Sequence, residues 1–220
     1  MKPLTAILAG ATGLVGGECL RRLLASPRYE RVVVVTRRKL ADVPADRKLR
    51  QVVTEFENLG EVRDRLRGDH VFCALGTTIR KAGSQGRFRE VDYEYPLRLA
   101  QLTRKNGARH FSIVSALGAS RTSPFFYSRV KGEMEEGLQQ LGWPSLAIVR
   151  PSVIAGDRAE SRPLERLGER LLRIAPATWR PVAAADIAAA MVATALREPR
   201  GVTVIESRRI EAVAGGAPRG

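Results

Sequence analysis

Histidine and cysteine are scarce in this chain, with two of each among 220 residues. Cys19, in a helical stretch, and Cys73, in an apolar one, are too few for a disulfide framework and read as small buried hydrophobes. A metal site needs a cluster of Cys, His, Asp and Glu, and the sequence offers none, so no metal is expected. His70 and His110 each open an expected strand, whereas an open parallel sheet does its chemistry at the carboxyl ends of its strands. Both are therefore expected to be structural, and no histidine-based triad is expected. Long apolar runs are missing too. No stretch approaches eighteen residues, and the alanine-rich run near the C-terminus is cut by Asp186, so no membrane span is expected. Gly10, Thr12 and Gly13 interrupt the first apolar run too early for a signal sequence, which makes the cytoplasm the expected compartment.

Lysine is rare as well, 6 against 31 arginines, yet the formal net charge is +14. Such a balance invites a nucleic-acid or membrane-surface reading. The charge is spread along the whole chain, without a basic tail or a continuous stripe on any helix, so sequence-specific nucleic-acid binding is not expected. Solvated arginine faces and a phosphorylated cofactor account for it instead. The length suits one domain and leaves little for a second. Residues 1–206 are expected to form it, with 154–206 as a small segment covering a substrate and 207–220 as a disordered tail.

The organising stretch is Leu4 to Cys19. An apolar run from Leu4 to Leu8 feeds into Gly10-Ala-Thr-Gly13-Leu-Val-Gly16, after which leucines recur at helical spacing. Strand, glycine turn and helix in this order let bare backbone approach a pyrophosphate, which rests on the exposed amides of the helix; glycines also simply pack helices on strands. A second apolar run, Val32 to Val35, has the character of a strand buried on both faces and ends in Thr36-Arg37-Arg38-Lys39. At that point of a dinucleotide site an acid would hold the free ribose hydroxyls of NAD, whereas arginine pairs with the extra phosphate of NADP. No acid is present, which favours NADP(H) over NAD(H); the alternative is that Arg37 and Arg38 are solvated loop charges. Glu55 and Phe56, after a third strand, are placed to flank an adenine, and Gly76-Thr77-Thr78 after a fourth to let ribose and phosphates pass or simply to turn the chain. Ile79 to Phe88 reads as a flexible basic loop. Val91 to Asn106 reads as a helix whose register Pro96 interrupts. A fifth strand delivers Ser115. Twelve residues on, Tyr127 and Lys131 lie a helical turn apart, and an ammonium beside a phenol favours its deprotonated form and eases proton exchange. Arg150-Pro151-Ser152-Val153 closes a sixth strand, and Asp186 is placed to cap the alanine-rich helix.

With Gly10-x-x-Gly13-x-x-Gly16 and Tyr127-x-x-x-Lys131, the chain resembles a short-chain dehydrogenase/reductase of the atypical, extended-like kind. More narrowly it resembles the Tat-interacting-protein oxidoreductase family and its bacterial relatives. That likeness rests on V-T-R-R-K-L at 35–40, C-A-L-G-T-T at 73–78, K-A-G at 81–83, Y-x-x-V-K-G-E at 127–133, and R-P-S-V at 150–153 followed by D-R-x-E-S-R-P at 157–163. The resemblance implies a Rossmann-like, doubly wound α/β fold of three layers with a mostly parallel sheet of six or seven strands. It implies hydride transfer to a carbonyl or quinone-like acceptor, with Tyr127 as proton donor, Lys131 holding the nicotinamide ribose and Ser115 steadying the carbonyl oxygen. Cofactor contacts would come from Gly10, Thr12, Gly13, Leu14, Val15 and Gly16, then Arg37, Arg38, Glu55 and Phe56, then Leu75, Gly76, Thr77 and Thr78, and finally Lys131, Pro151 and Val153. Two departures stand out. The asparagine of the usual proton relay is missing, with Asp92 a poor stand-in, and Ser115 is followed by Ala116-Leu117 where relatives carry further hydroxyls, which leaves Ser120, Thr122 and Ser123 as alternatives. The other reading of this scaffold is a non-catalytic NADPH-binding sensor. The partner expected is a small-molecule substrate, and monomer and homodimer both stay open.

Overall fold

Alternation along the strands sets the layers of the molecule, whose computed structural model describes residues 2–41, 46–155 and 180–216. In β1 (Leu4–Ala9), Ala6 and Leu8 join one core and Ile7 and Ala9 the other. β2 (Tyr29–Thr36) repeats this with Val32 and Val34 against Val33 and Val35. Strands buried on both faces need helices above and below, and sheets of this kind are parallel. β4 (His70–Cys73), β5 (His110–Val114) and β6 (Ser145–Arg150) continue the pattern, whereas β3 (Leu49–Val53), at the edge of the sheet, buries only Val52. β7 (Ile154–Ala155) and β8 (Val182–Ala183) form a separate parallel pair, and β9 (Gly201–Glu206) returns to the main sheet. Its seven strands lie in the order β3-β2-β1-β4-β5-β6-β9, every neighbouring pair parallel. The expected α/β doubly wound fold is thus observed. The chain builds outward from β1 to β3 and then crosses back to β4 on the other side of β1. That reversal opens a crevice at the carboxyl ends of β1 and β4, where α/β sheets bind ligands.

One face of the sheet is covered by α1 (Leu14–Ala25), through Val15, Cys19, Leu20 and Leu23. The other is covered by a 3-10 helix at Phe56–Arg65 and, further on, by the helices that follow β4 and β5. The expected flexible loop from Ile79 to Phe88 is two short helices instead, α2 (Ile79–Ala82) and α3 (Gln85–Arg89). Hydroxyls make the difference: Thr78 Oγ1 accepts the Lys81 amide and Ser84 Oγ the Arg87 amide, each an N-cap. A π-helical turn, Glu90–Glu94, then leads into α4 (Tyr95–Lys105). The helix thus starts later than Val91, because Pro96 has no amide to donate and sits in the first turn, where none is needed. α5 (Phe126–Gln140) follows β5 on the same face.

α6 (Ala184–Arg197) packs beside α1 through Ile187, Ala188 and Met191. Its N-cap is Ala183, not Asp186, which lies in the first turn where a carboxylate faces the positive end of the helix. Residues 207–216 are not a disordered tail. A 3-10 turn at Ser207–Arg209 and α7 (Ile210–Gly215) fold back, because Ile210 has an apolar site in the core beside α6 and is fully buried there. Of the expected substrate-covering segment, the stretch 156–179 lies outside the described residues.

Candidate cofactor and catalytic site

The crevice is shaped by what its glycines leave out. Gly10 follows β1 with φ +88°, and a Cβ there would lie 2.5 Å from the Ala74 carbonyl at the end of β4. A Cβ on Gly16 would stand 1.9 Å from the Gly10 carbonyl oxygen, so α1 starts this close to β1 only because that atom is missing. Gly13 differs: its nearest neighbour to such a Cβ is the Gly10 oxygen at 3.4 Å, so its outer side is open. Gly13 is the N-cap of α1 and gives no side-chain cap, leaving the first-turn amides of Leu14, Val15 and Gly16 to a ligand. A diphosphate fits this cradle of bare backbone at the positive end of a twelve-residue helix.

A cleft of about 880 Å³ extends from that turn. Its lining gathers Gly10, Thr12, Gly13, Arg37, Arg38, Phe56, Leu75, Gly76 and Thr77 from the expected cofactor residues. Among the described residues neither Arg37 nor Arg38 makes an ion pair, so both guanidinium groups remain open to an anion. Phe56 is buried and stacks on Tyr95 at 5.3 Å. Glu55 is exposed and outside the lining, because it caps the 3-10 helix while the next residue turns inward. Thr78 is likewise outside it, spent on capping α2. Pro151 is buried, and its carbonyl accepts the Leu117 amide at 2.8 Å; Val153 is exposed, and its carbonyl accepts the Val182 amide. Neither lines this cleft.

Tyr127 and Lys131 lie on α5, outside that lining and a turn apart. Tyr127 is 40% exposed, and its ring rests 5.6 Å from that of Phe88, which is fully buried and bolts α3 to α5. Lys131 is buried, with Nζ 2.8 Å from Asp92 Oδ1. Burial alone would lower its pKa, but Asp92 and Tyr127 outweigh that and leave it raised, so the head group is an ammonium. Ser115 does not join them. It is buried, and its one hydroxyl proton goes to Glu135 Oε1 at 2.5 Å, so it has none left to steady a carbonyl oxygen in the crevice. Glu135 is in turn held by both Arg150 Nε at 3.0 Å and Nη2 at 2.5 Å, and Arg150 reaches Glu206 at 2.9 Å. Of the alternatives, Ser120 and Thr122 are exposed in the loop before α5, their hydroxyls 3.0 Å apart.

Residues 10–199 match a family described as NAD(P)H-binding. The chain belongs to that family and, within it, to the atypical short-chain dehydrogenase/reductases. It is similar to the rat protein HTATIP2, 38% identical over 181 residues that span 81% of this chain and 74% of that one. It is also similar to the Candida albicans protein FMP52, mitochondrial, 30% identical over 193 residues covering 84% of each. The Bordetella bronchiseptica enzyme WbmG, solved in complex with NAD, shares the fold at a TM-score of 0.71 and 16% identity, over 97% of this chain and 77% of that one.

In this NAD(P)H-binding chain the first turn and the α5 pair were legible as motifs, whereas two networks were not. One joins Arg87 to Glu90, to the Tyr95 hydroxyl at 2.8 Å and to Glu57 at 3.4 Å, along the rim where Phe56 and Tyr95 stack. Tyr95 also donates to Glu57, and burial chiefly pushes its pKa up to about 12, so it stays a donor. The other is the Ser115–Glu135–Arg150–Glu206 chain beneath α5. Its sequence signal is the charge of Glu135 beside the apolar positions Val130, Met134 and Leu138, on a buried face that also carries Lys131.

Proposed function

We propose that the chain is an NADP(H)-dependent oxidoreductase in which Tyr127 gives a proton to the oxygen of a carbonyl or quinone-like acceptor. The observation that carries this reading is the pairing on α5 of a solvent-accessible phenol with a buried ammonium, on the helix that follows β5. When bound, the cofactor supplies the hydride. The protein supplies the rest. Gly10, Gly13 and the α1 amides seat the diphosphate, and Arg37 and Arg38 bind the phosphate on the adenosine ribose. Phe56 offers its edge to the adenine, and Phe88 backs the phenol so that its hydroxyl faces one direction. Preference for NADP rests on the two arginines; the WbmG complex holds NAD, and its likeness to this chain is one of fold. The cytoplasm is the compartment proposed, and fractionation decides between it and the mitochondrion named for the FMP52 relatives.

Tyr127→Phe tests the mechanism. Turnover of NADPH with carbonyl and quinone acceptors should vanish while NADPH affinity stays within about twofold, since a lost hydroxyl removes only a transition-state contact. Full activity in the variant would remove the mechanism. A second reading, the NADPH-binding sensor without turnover, is favoured by one observation: Ser115, the serine that the resemblance assigns to the carbonyl oxygen, donates its hydroxyl proton to Glu135. A broad acceptor screen without NADPH oxidation, together with cofactor-dependent binding of a partner, would select it.

A further inference from the structure

The π-helical turn before α4 carries a carboxylate that the proposed chemistry has not yet used. Asp92 is 1% exposed. Its Oδ2 accepts the Thr77 amide at 2.9 Å, and its Oδ1 lies 2.8 Å from Lys131 Nζ. The first contact belongs to the wall of the cleft after β4, the second to the helix that carries Tyr127. The Lys131 ammonium is the cation that faces Oδ1.

We propose that Asp92 is a positioning residue: its carboxylate fixes the Lys131 ammonium one turn from Tyr127 and ties that helix to the cofactor cleft through Thr77. The proposal rests on the oxidoreductase reading above. A buried ion pair gains little stability over apolar residues of the same shape, so what this one contributes is the location of a charge. Lys131 is faced by Asp92 from the π turn, by Tyr127 from its own helix and by Cys73 from β4. The Cys73 thiol is pushed up to about 12 by burial and stays neutral, and Glu135, a turn further along α5, is engaged with Ser115 and Arg150. Asp92 is thus the anion in contact with Lys131 among the described residues.

The test uses the full chain labelled with ε-13C lysine, whose six lysine signals are few enough to assign by Lys131→Met. In the native protein the Lys131 signal should stay in its ammonium form to a higher pH than the other lysines. In Asp92→Asn, which keeps the shape and can still accept from Thr77, it should deprotonate at least one pH unit lower than in the native protein. The kcat should fall on the order of 10- to 100-fold with the acceptor KM within about threefold, its alkaline limb moving with the lysine. In a Lys131→Met background the same change should add less than about twofold, because both act through one ammonium. A native Lys131 that titrates with the other lysines overturns the proposal, as does one that Asp92→Asn leaves unmoved. If Asp92→Asn does not fold, the native titration decides. Turnover lost in Tyr127→Phe but kept in Asp92→Asn overturns the role of Asp92 alone; turnover untouched by either overturns the oxidoreductase mechanism, and this role with it.

Discussion

Acid should destabilise this protein through His110 well before it strips the surface of charge. The ring opens β5, fully buried, with Nδ1 2.7 Å from Ser145 Oγ and Nε2 2.7 Å from Ser112 Oγ. Two hydroxyls satisfy a neutral imidazole, one as donor and one as acceptor, and among the described residues no carboxylate touches the ring to reward a proton. Burial, with the neighbouring His70 ring at 5.6 Å, pushes its pKa from the ordinary 6.5 down to about 3. Between those values the unfolded chain binds a proton that the folded chain refuses, so the contribution is intact above pH 6.5 and is lost as pH falls towards 3. The slope is about 1.4 kcal/mol per pH unit, which removes ~2.7 kcal/mol by pH 4.5 and approaches ~5 kcal/mol at the lower limit. His70 adds to it with the same sign, since burial lowers its pKa despite its 2.8 Å contact with Glu198. Urea unfolding of the native protein and of His110→Asn at pH 7.5, 6, 5 and 4.5 should give a shallower pH dependence in the variant, by about one proton. With two histidines in the chain, their Cε1 resonances are read directly, and that of His110 should not move above pH 4.5. Parallel slopes, or a His110 signal titrating near 6.5, would refute the reasoning.

Gly16→Ala places a methyl 1.9 Å from the Gly10 oxygen, against backbone that has no flexible end to yield. Stability should fall by about 1–3 kcal/mol and NADPH affinity with it; unchanged melting and titration curves would contradict the close approach. Changing Arg37 and Arg38 together to Ala should weaken NADPH binding by about 10- to 100-fold, as expected for losing charge-assisted contacts to a phosphate, and NADH binding by less than about threefold. Calorimetry with both nucleotides checks this, and equal losses would refute the assignment. Arg150→Met strands the buried Glu135 carboxylate and should cost about 3 kcal/mol, most of it recovered by adding Glu135→Met; a neutral single variant in denaturant would count against the network.

Much of the architecture could be read from periodicity. Val32 to Val35 is apolar at every position because helices cover both faces of β2, and the Gly10 turn follows the first strand as a doubly wound sheet requires. Local chemistry misled where it depended on partners far along the chain. Ser115 stands at the right strand end, but the direction of its hydroxyl is decided by Glu135, twenty residues on, and by Arg150 from the next strand. Ile79 to Phe88 looks like a loop because its apolar residues are few; Phe88 anchors it from within, through a site made by Phe126 and Tyr127, and Arg87 ties it to Glu57, Glu90 and Tyr95. The last residues look featureless by composition, and Ile210 finds its place only once α6 has been laid on the sheet.

The two thiols have a practical consequence. Cys19 belongs to the layer of α1 and α6, where its sulfur lies 3.9 Å from that of Met191, while Cys73 ends β4 in the opposite layer. Burial holds both pKa values near 12, which leaves them silent towards alkylating reagents in the closed molecule. Modification therefore proceeds only through transient opening, and its rate at each sulfur measures how often that flank of the sheet comes loose. The native sequence thus carries one built-in reporter per flank, and mass spectrometry after timed labelling would tell whether the two sides breathe together or separately.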